Sequence, residues 1–201
     1  MAESSDQSEP IYFWRETDPQ TGYLSQWYHC PFRDDKDPNI IYETAEHYMM
    51  YQKALLFNDQ PSAQKILSRG QTPRKVKSLG RKVANFSEAT WNAKREAIVR
   101  QGNYLKFTNA VKEVGFCRGS ATSAGEPLVG GSLRETLLST GQRELVEASP
   151  FDAVWGIGLK AADADADADG NREAWGLNLL GKALMDVRER LREEKAAAAR
   201  V

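Results

Sequence analysis

The sequence predicts an α+β fold that is predominantly α-helical, built as one domain with a few short β-strands. Capping residues open several helical stretches after residue 43, and Thr44, Ser87 and Ser132 are the clearest of them. Their side-chain oxygens suit the unpaired N–H groups of a helix start. Short aromatic and β-branched runs separated by turn residues come before that point. With 201 residues, 41% of them apolar, the chain is long and apolar enough for one globular domain.

Each element has its own local signal. Strands are predicted at residues 11–16, at 23–28 (a strand or an irregular aromatic segment), at 40–42 and at 145–148, with a polar loop over 33–39. Helices are predicted at 44–58, from Pro61 to Gly70, from Thr72 and Pro73 onward, from Ser87 to 114 with a break near Gly102, from Ser132 to Gly141, and over 177–191.

The chain is predicted to divide into a domain over residues 11–192 and two unstructured ends. Residues 1–10 are polar and predict a disordered lead, and residues 193–201 predict a frayed tail. Within the domain, residues 160–171 are rich in alanine and aspartate, which alternate between Ala161 and Asp169. Four aspartates that repel one another predict a solvated loop there.

Charge is unevenly distributed although the formal net charge is only −1. Seven basic residues and no acidic one lie between Gln60 and Ser87. One interpretation is a solvated helical face; the other is a field that attracts phosphates or nucleic acid.

The sequence disfavours several classes of protein: disulfide-rich, zinc-binding, calcium-binding, membrane-spanning and secreted. Two cysteines, Cys30 and Cys117, do not make a disulfide framework, and no Cys/His cluster has zinc spacing. The front of a calcium loop starts at Asp165, but its twelfth position is Gly176 instead of a bidentate glutamate. No apolar run has the length of a membrane span, and the polar start is not a secretory signal. We expect no metal, no cofactor and no membrane contact, and a cytoplasmic or nuclear location.

The segment over residues 42–54 carries the first candidate site. On a helix, Glu46 and Lys53 lie about 20° apart and two turns from each other. Glu46 falls in the first turn, where the helix dipole favours a carboxylate. Burial would let it serve as a general acid or base. The alternative is a capping or surface glutamate.

The second candidate lies in residues 145–159, which combine Asp152 and Trp155 with the Gly156–Gly158 pair. Glycines let backbone N–H groups approach an anionic or planar ligand closely. The alternative is a tight turn with a packed tryptophan. Trp27 and Trp155 also stand in polar, glycine-containing context, which favours stacking on a base or a flavin-like ring over a place in the core.

These segments together resemble the NADAR family, also called YbiA-like. The resemblance runs in order over about residues 12–192. Its pieces are FWRE (13–16), GYLSQWY (22–28), YETAEHYMMYQKA (42–54), LGR (79–81), the Trp91 helix, LLSTG (137–141), LVEAS (145–149), Asp152 with WGIGL (155–159), and NLLGKALM (178–185). Many members read Leu-Ser-Asn-Phe where this chain has Leu24-Ser25-Gln26-Trp27.

The resemblance implies a helix-rich fold and cleavage of N-glycosidic bonds. One branch of the family looks like hydrolases of riboflavin-pathway ribosylamines, and another like hydrolases that remove ADP-ribose from modified guanine in nucleic acid. By match to the family motifs, Glu46 is the leading catalytic carboxylate. Trp91, Asp152 and Trp155 match active-site positions, and Gln52 and Lys53 match a ligand-contacting helix.

The expected function is therefore an N-glycosidase, with ADP-ribosylated guanine in DNA or RNA favoured over a ribosylaminopyrimidine phosphate. Glu46 would activate water or stabilise the sugar cation, and Asp152 would assist it. Trp27, Trp91 or Trp155 would stack on a ring, and Lys53 and Arg81 would bind phosphate. These side chains are expected to share one cavity. Two rivals stay open: a non-catalytic ADP-ribose reader and a helical interaction domain.

Overall fold

The computed structural model describes residues 9–111, 132–166 and 172–200, except the side chains of residues 165 and 166. Cys117, most of the predicted lead and residues 167–171 of the calcium-loop frame lie outside these ranges. The strands are β1 (Ile11–Phe13), β2 (Phe32–Arg33), β3 (Ile41–Tyr42) and β4 (Leu145–Glu147). The helices are α1 (Ala45–Leu56), α2 (Gln60–Leu67), α3 (Pro73–Gly80), α4 (Glu88–Thr108), α5 (Leu133–Leu138), α6 (Ala161–Ala166) and α7 (Leu179–Ala198), with 3-10 turns at Gly22–Leu24 and Arg172–Ala174.

The chain forms two compact units. The first, here called the helical unit, comprises Gln26–Glu113. The second, here called the mixed unit, joins Met1–Ser25 to Val114–Val201. The helical unit contains β2, β3 and α1 to α4, and the mixed unit contains β1, β4 and α5 to α7.

In the helical unit, α1 packs against α2, α3 and α4. Two glycines permit this close packing. A Cβ on Gly102 of α4 would lie 2.5 Å from the Tyr48 ring, and one on Gly80 of α3 would overlap the Met50 side chain. Gly102 therefore serves helix packing, and α4 continues through it without the predicted break. The helix starts follow the predicted caps, since Thr44, Thr72 and Ser87 each accept an N–H three residues on.

The core of the helical unit is aromatic. Phe32, Tyr42, Tyr48 and Leu105 form a buried cluster. Phe32 and Tyr42 are opposite each other in the antiparallel β2–β3 pair, with ring centroids 5.5 Å apart. The Tyr42 hydroxyl donates a 2.7 Å hydrogen bond to the Asp34 carboxylate, which satisfies a polar group inside this cluster.

In the mixed unit, β1 and β4 form a parallel pair with Ile11 opposite Leu145, and α7 packs on β4. Asn178 joins strand and helix, because its Oδ1 accepts the Glu147 N–H at 3.0 Å and its Nδ2 donates to the Leu145 carbonyl at 2.9 Å. Asn178 has φ +48°, a left-handed conformation that asparagine tolerates better than most residues.

Residues 22–24 form a 3-10 turn with no strand after it up to residue 30, so the irregular alternative holds for 23–28. Four other sequence expectations need correction. Phe32–Arg33 forms a strand where a loop was predicted to begin. α4 ends at Thr108, before the predicted residue 114. Residues 161–166 form α6 instead of a loop, because alanine favours helix and Ala164 is buried against Val146, Ala148 and Ile157. The predicted tail is helical through Ala198, where Lys195 pairs with Glu135 at 3.2 Å.

Candidate functional site

Glu46 lies inside the helical unit, with only 5% of its surface exposed, in the first turn of α1. Its backbone N–H donates to the Gln26 carbonyl at 3.0 Å, so the segment before the helix is held against its start. The alternative of a surface glutamate is thus wrong. A buried carboxylate at a helix N-terminus is a group whose charge is supported by the dipole and shielded from bulk water.

Lys53 lies close enough to Glu46 for their charges to interact, as the helix spacing predicts. Burial lowers the pKa of Lys53, and the Glu46 carboxylate opposes this by raising it. The Lys53 Nζ atom lies 4.3 Å from the centroid of the Phe86 ring and 5.1 Å from that of Trp91. The two rings hold the ammonium group by cation–π contacts.

Phe86 was not singled out from the sequence, although a signal was present. Ser87 caps α4, so Phe86 precedes the cap and Trp91 is the fourth helical residue. Apolar residues at these two positions commonly pair as a hydrophobic staple. Phe86 is 48% exposed, which leaves it accessible to a ligand, whereas Trp91 is almost fully buried.

Gln26 and Trp27 stand where many family members have Asn and Phe. Gln26 contacts both the start of α1 and α4. The Gln26 Oε1 atom accepts from the Asn103 amide of α4 at 3.0 Å. Trp27 is half-buried, and the Lys77 Nζ atom lies 6.0 Å from its ring centroid. The glutamine thus bridges the start of α1 to α4.

Gln52 and Arg81 are the remaining candidate residues of the helical unit. Gln52 is half-buried on α1, and Arg81 is exposed at the C-cap of α3. Their roles in ligand contact and phosphate binding stay predictions.

His47 supports α1 and is no metal ligand. Its Nε2–H donates to the Gln71 carbonyl at 3.2 Å, and its Nδ1 accepts from the Thr44 hydroxyl at 2.8 Å. Burial lowers the pKa of His47, which favours this neutral ring. Across the described ranges, no group of three or more His, Cys, Asp or Glu side chains is arranged to hold a metal ion.

In the mixed unit, residues 152–158 form the tight turn that the sequence left as an alternative. The Asp152 Oδ1 atom accepts the N–H groups of Val154 at 3.0 Å and Trp155 at 2.8 Å. Gly158 has φ +73°, and a Cβ on Gly156 would lie 2.5 Å from the Glu147 carbonyl oxygen. Both glycines are therefore required by the backbone.

This turn is held against the start of α7. The Trp155 carbonyl accepts the Leu180 N–H at 3.0 Å, and the Gly156 carbonyl accepts the Asn178 N–H at 3.2 Å. The half-buried Trp155 is thereby fixed to the first turn of a long helix. The catalytic role of Asp152 and the ligand-binding roles of Trp155, Gly156 and Gly158 stay predictions.

The mixed unit also has a cavity of about 460 Å³ that the candidate residues do not line. Its wall includes Tyr12, Trp14, Arg15 and Lys160. The Arg15 guanidinium lies 4.2 Å from the centroid of the Trp14 ring, and the Phe151 ring lies 5.9 Å from it. FWRE was noted from the sequence as a motif, but nothing local marked it as the wall of a cavity.

Comparison with known proteins assigns the family. The NADAR domain model matches residues 12–192. The N-glycosidase R617 of Acanthamoeba polyphaga mimivirus is 38% identical over 83% of this chain and 85% of its own length. The riboflavin biosynthesis protein VVA0006 of Vibrio vulnificus is 30% identical over 94% of this chain, but over only 41% of its own length. The NMR structure of Escherichia coli YbiA superimposes with a TM-score of 0.64 at 27% identity, covering 94% of this chain and 89% of YbiA.

The chain belongs to the NADAR family, and the predicted resemblance and the predicted α+β, mainly helical fold are confirmed. Because the family match runs from residue 12 to residue 192, both units are parts of one family domain. No helix in the part of the chain that the structure describes is long and apolar enough to cross a membrane.

Proposed function

We propose that this protein is an N-glycosidase that removes ADP-ribose from ADP-ribosylated guanine in nucleic acid, with Glu46 as its catalytic carboxylate. The general activity, hydrolysis of an N-glycosyl bond, follows from family membership and from relatives named N-glycosidases, such as R617 and YbiA. The observation that carries the residue assignment is the burial of Glu46 and its electrostatic interaction with Lys53, whose ammonium contacts the Phe86 and Trp91 rings.

The reaction breaks the bond between the anomeric carbon of ribose and a nitrogen of the base. The bonding electron pair leaves with the nitrogen, which gains a proton, and water adds to the anomeric carbon. The sugar carries positive charge in the transition state. A buried carboxylate such as Glu46 can stabilise that charge and accept the proton of the attacking water.

The other residues bind and orient the substrate. Lys53 is a candidate for a phosphate of the ADP-ribose group, because its ammonium is held in place by Phe86 and Trp91. Arg81 is a second phosphate candidate, exposed at the C-cap of α3. Trp27, Trp91 or Trp155 would stack on a base, Gln52 would contact the ligand from α1, and Gly156 and Gly158 would permit its close approach. Asp152 would be the supporting acid.

The choice of nucleic acid as substrate rests on the basic residues between Gln60 and Ser87, which favour a large polyanion. A second candidate substrate is a ribosylaminopyrimidine phosphate of the riboflavin pathway. The similarity to the Vibrio riboflavin biosynthesis protein favours it. A non-catalytic reader of ADP-ribose would bind the ligand and release no product.

The test is a side-by-side turnover assay on three substrates: an oligonucleotide with ADP-ribosylated guanine, an ADP-ribosylated protein, and a ribosylaminopyrimidine phosphate. Products are identified by mass. We expect release of ADP-ribose from the oligonucleotide, fastest of the three. Faster cleavage of the ribosylaminopyrimidine would establish the second candidate instead, and binding without turnover would establish the reader.

The residue assignment is tested with Glu46→Gln, which removes the ionisable group with little change in shape. We expect kcat to fall about 10²- to 10⁴-fold, the range for loss of a general acid or base. Glu88→Gln is the matched control, because Glu88 is an exposed glutamate in the first turn of α4. If folded Glu46→Gln turns over at the wild-type rate, the assignment is wrong.

A further inference from the structure

We propose that the exposed basic surface of α2 and α3 is the docking surface for the phosphate backbone of the nucleic acid that carries the modified base. This surface, here called the basic face, comprises Lys65 of α2, Arg74, Lys75 and Lys77 of α3, and three residues that lie just after these helices, Arg69, Arg81 and Lys82. The inference rests on the proposed function for the identity of the modified base, but the docking surface is tested independently of turnover.

The cations of the basic face are exposed to solvent, with Lys77 half-buried. None of the seven forms an ion pair with a carboxylate of the described residues. The nearest acidic residue before them in the chain, Asp59, is engaged by backbone donors, because its two oxygens accept the N–H groups of Ser62 and Ala84. The charge of Lys65 also acts on the Asp59 carboxylate, so the basic face has seven positive charges with partial compensation from Asp59 at the Lys65 end.

The long helix α7 shows a different arrangement. Its exposed cations are matched by nearby glutamates: Arg190 pairs with Glu194 at 3.1 Å, and Lys195 with Glu135 at 3.2 Å. Such pairs are typical of a solvated helix surface. Because the basic face lacks them, its repulsive field is relieved mainly by ions from solution, and a polyanion that releases those ions binds favourably.

The basic face is fixed to the helix that carries Glu46. The His47 ring donates to the Gln71 carbonyl between α2 and α3, and Gly80 of α3 packs against Met50 of α1. Lys77 also reaches the ring of Trp27, just before α1. A phosphate chain on the basic face would therefore run beside α1, where Glu46, Lys53 and Trp91 meet.

The binding experiment measures the affinity of the full chain for an unmodified, fluorescein-labelled oligonucleotide by anisotropy over a range of salt concentrations. The test variant is the triple substitution Arg74→Gln, Lys75→Gln and Lys82→Gln. The matched control is the triple substitution Lys182→Gln, Arg190→Gln and Lys195→Gln on α7, which removes the same charge from exposed positions.

We expect the basic-face variant to bind about tenfold more weakly or worse at 0.1 M salt, and the slope of log affinity against log salt to become shallower by about 2 to 3, since each phosphate contact contributes about 0.7 to 0.9. The control triple is expected to bind like the wild type. Equal losses in the two triples, or no loss in the basic-face variant, would overturn the proposal.

A turnover measurement separates this proposal from the proposed function. The readout is the ratio of kcat/KM on an ADP-ribosylated oligonucleotide to kcat/KM on free ADP-ribosylguanosine, which we expect to fall about tenfold in the basic-face variant. If neither substrate is hydrolysed but oligonucleotide binding still depends on the basic face, the proposed function fails and the docking surface stands. If both are hydrolysed with an unchanged ratio and unchanged binding, only the docking surface fails.

Discussion

The two units of this chain differ in charge and in how they present their candidate residues. The helical unit has 15 basic and 9 acidic residues, whereas the rest of the chain has 12 basic and 19 acidic ones. In the helical unit the candidates are buried or half-buried side chains on and around α1, such as Glu46 and Lys53. In the mixed unit they belong to a turn whose backbone is fixed by hydrogen bonds. The helical unit therefore offers charged side chains for catalysis and phosphate binding, whereas the mixed unit offers a backbone turn of fixed shape.

This difference also shows in the ion pairs. Five of the described pairs lie in the mixed unit and use exposed or half-exposed partners, including Arg172 with Glu144 at 2.9 Å and Arg134 with Glu194 at 3.6 Å. The seven cations of the basic face have no such partners among the described carboxylates. A near-neutral total charge therefore conceals an unbalanced surface, and composition alone would not have suggested a polyanion as partner.

The strongest test of the comparison asks whether Asp152 acts through its charge or only through its turn. Asp152→Asn keeps an oxygen that can accept the N–H groups of Val154 and Trp155, but removes the charge. We expect kcat to fall about 10- to 100-fold, as for a supporting acid, with the melting temperature unchanged. Asp152→Ala should lose the turn as well. Full activity in Asp152→Asn would mean that Asp152 contributes only the shape of its turn and not its charge.

Glycine packing gives a second contrast, measured by urea unfolding. A Cβ on Gly181 in α7 would overlap the Leu145 carbonyl, which belongs to the backbone, whereas one on Gly80 would overlap the flexible Met50 side chain. We expect Gly181→Ala to lower the free energy of unfolding by about 2 to 3 kcal/mol and Gly80→Ala by about 1 kcal/mol or less. The reverse order would mean that Met50 is the more rigid neighbour.

The link between β4 and α7 gives a third test. Asn178→Ala removes two hydrogen bonds, to Glu147 and Leu145, and leaves their backbone groups without that partner. The expected loss in the free energy of unfolding is about 2 kcal/mol. Asn178→Asp keeps the acceptor and loses only the donor, so its loss should be smaller. Equal stability of both variants and the wild type would contradict this role.

The smallest expected effect concerns Lys106, which is fully buried in the helical unit. Burial lowers the pKa of Lys106 from its usual 10.5 to about 8, although the electrostatic interaction with Cys30 acts to raise it. Between these values the unfolded chain holds the proton that the folded chain has lost, so stability should rise with pH, by about 1 kcal/mol per pH unit. The rise should begin near pH 8 and be absent in Lys106→Met.

Cys30 limits the range of that measurement. Burial raises the pKa of its thiol from 9.0 to about 12. The unfolded thiol then loses its proton first, so Cys30 makes stability fall with pH above about 9. The contribution of Lys106 is therefore read between pH 8 and 9, as the difference between wild type and Lys106→Met in thermal or urea unfolding. A difference that does not change over this range would contradict the role of burial.

Part of the site could be predicted because its signals are local. The spacing of seven positions from Glu46 to Lys53 corresponds to two helical turns, so their shared face follows from helix geometry once Thr44 caps α1. Phe86 could have been added from its place before Ser87. The cation–π contacts of Lys53 with Phe86 and Trp91 could not, because they require α1 and the start of α4 to pack together.

The sequence by itself determined the helix starts, the family and the uneven charge, because each depends on neighbouring residues or on the order of motifs along the chain. Only the tertiary structure decided that β1 pairs with β4, that residues 161–166 form a helix and that Glu46 and Lys106 are buried. Pairing and burial join residues far apart in the chain, and their free energy comes from the water that those contacts exclude rather than from local propensity.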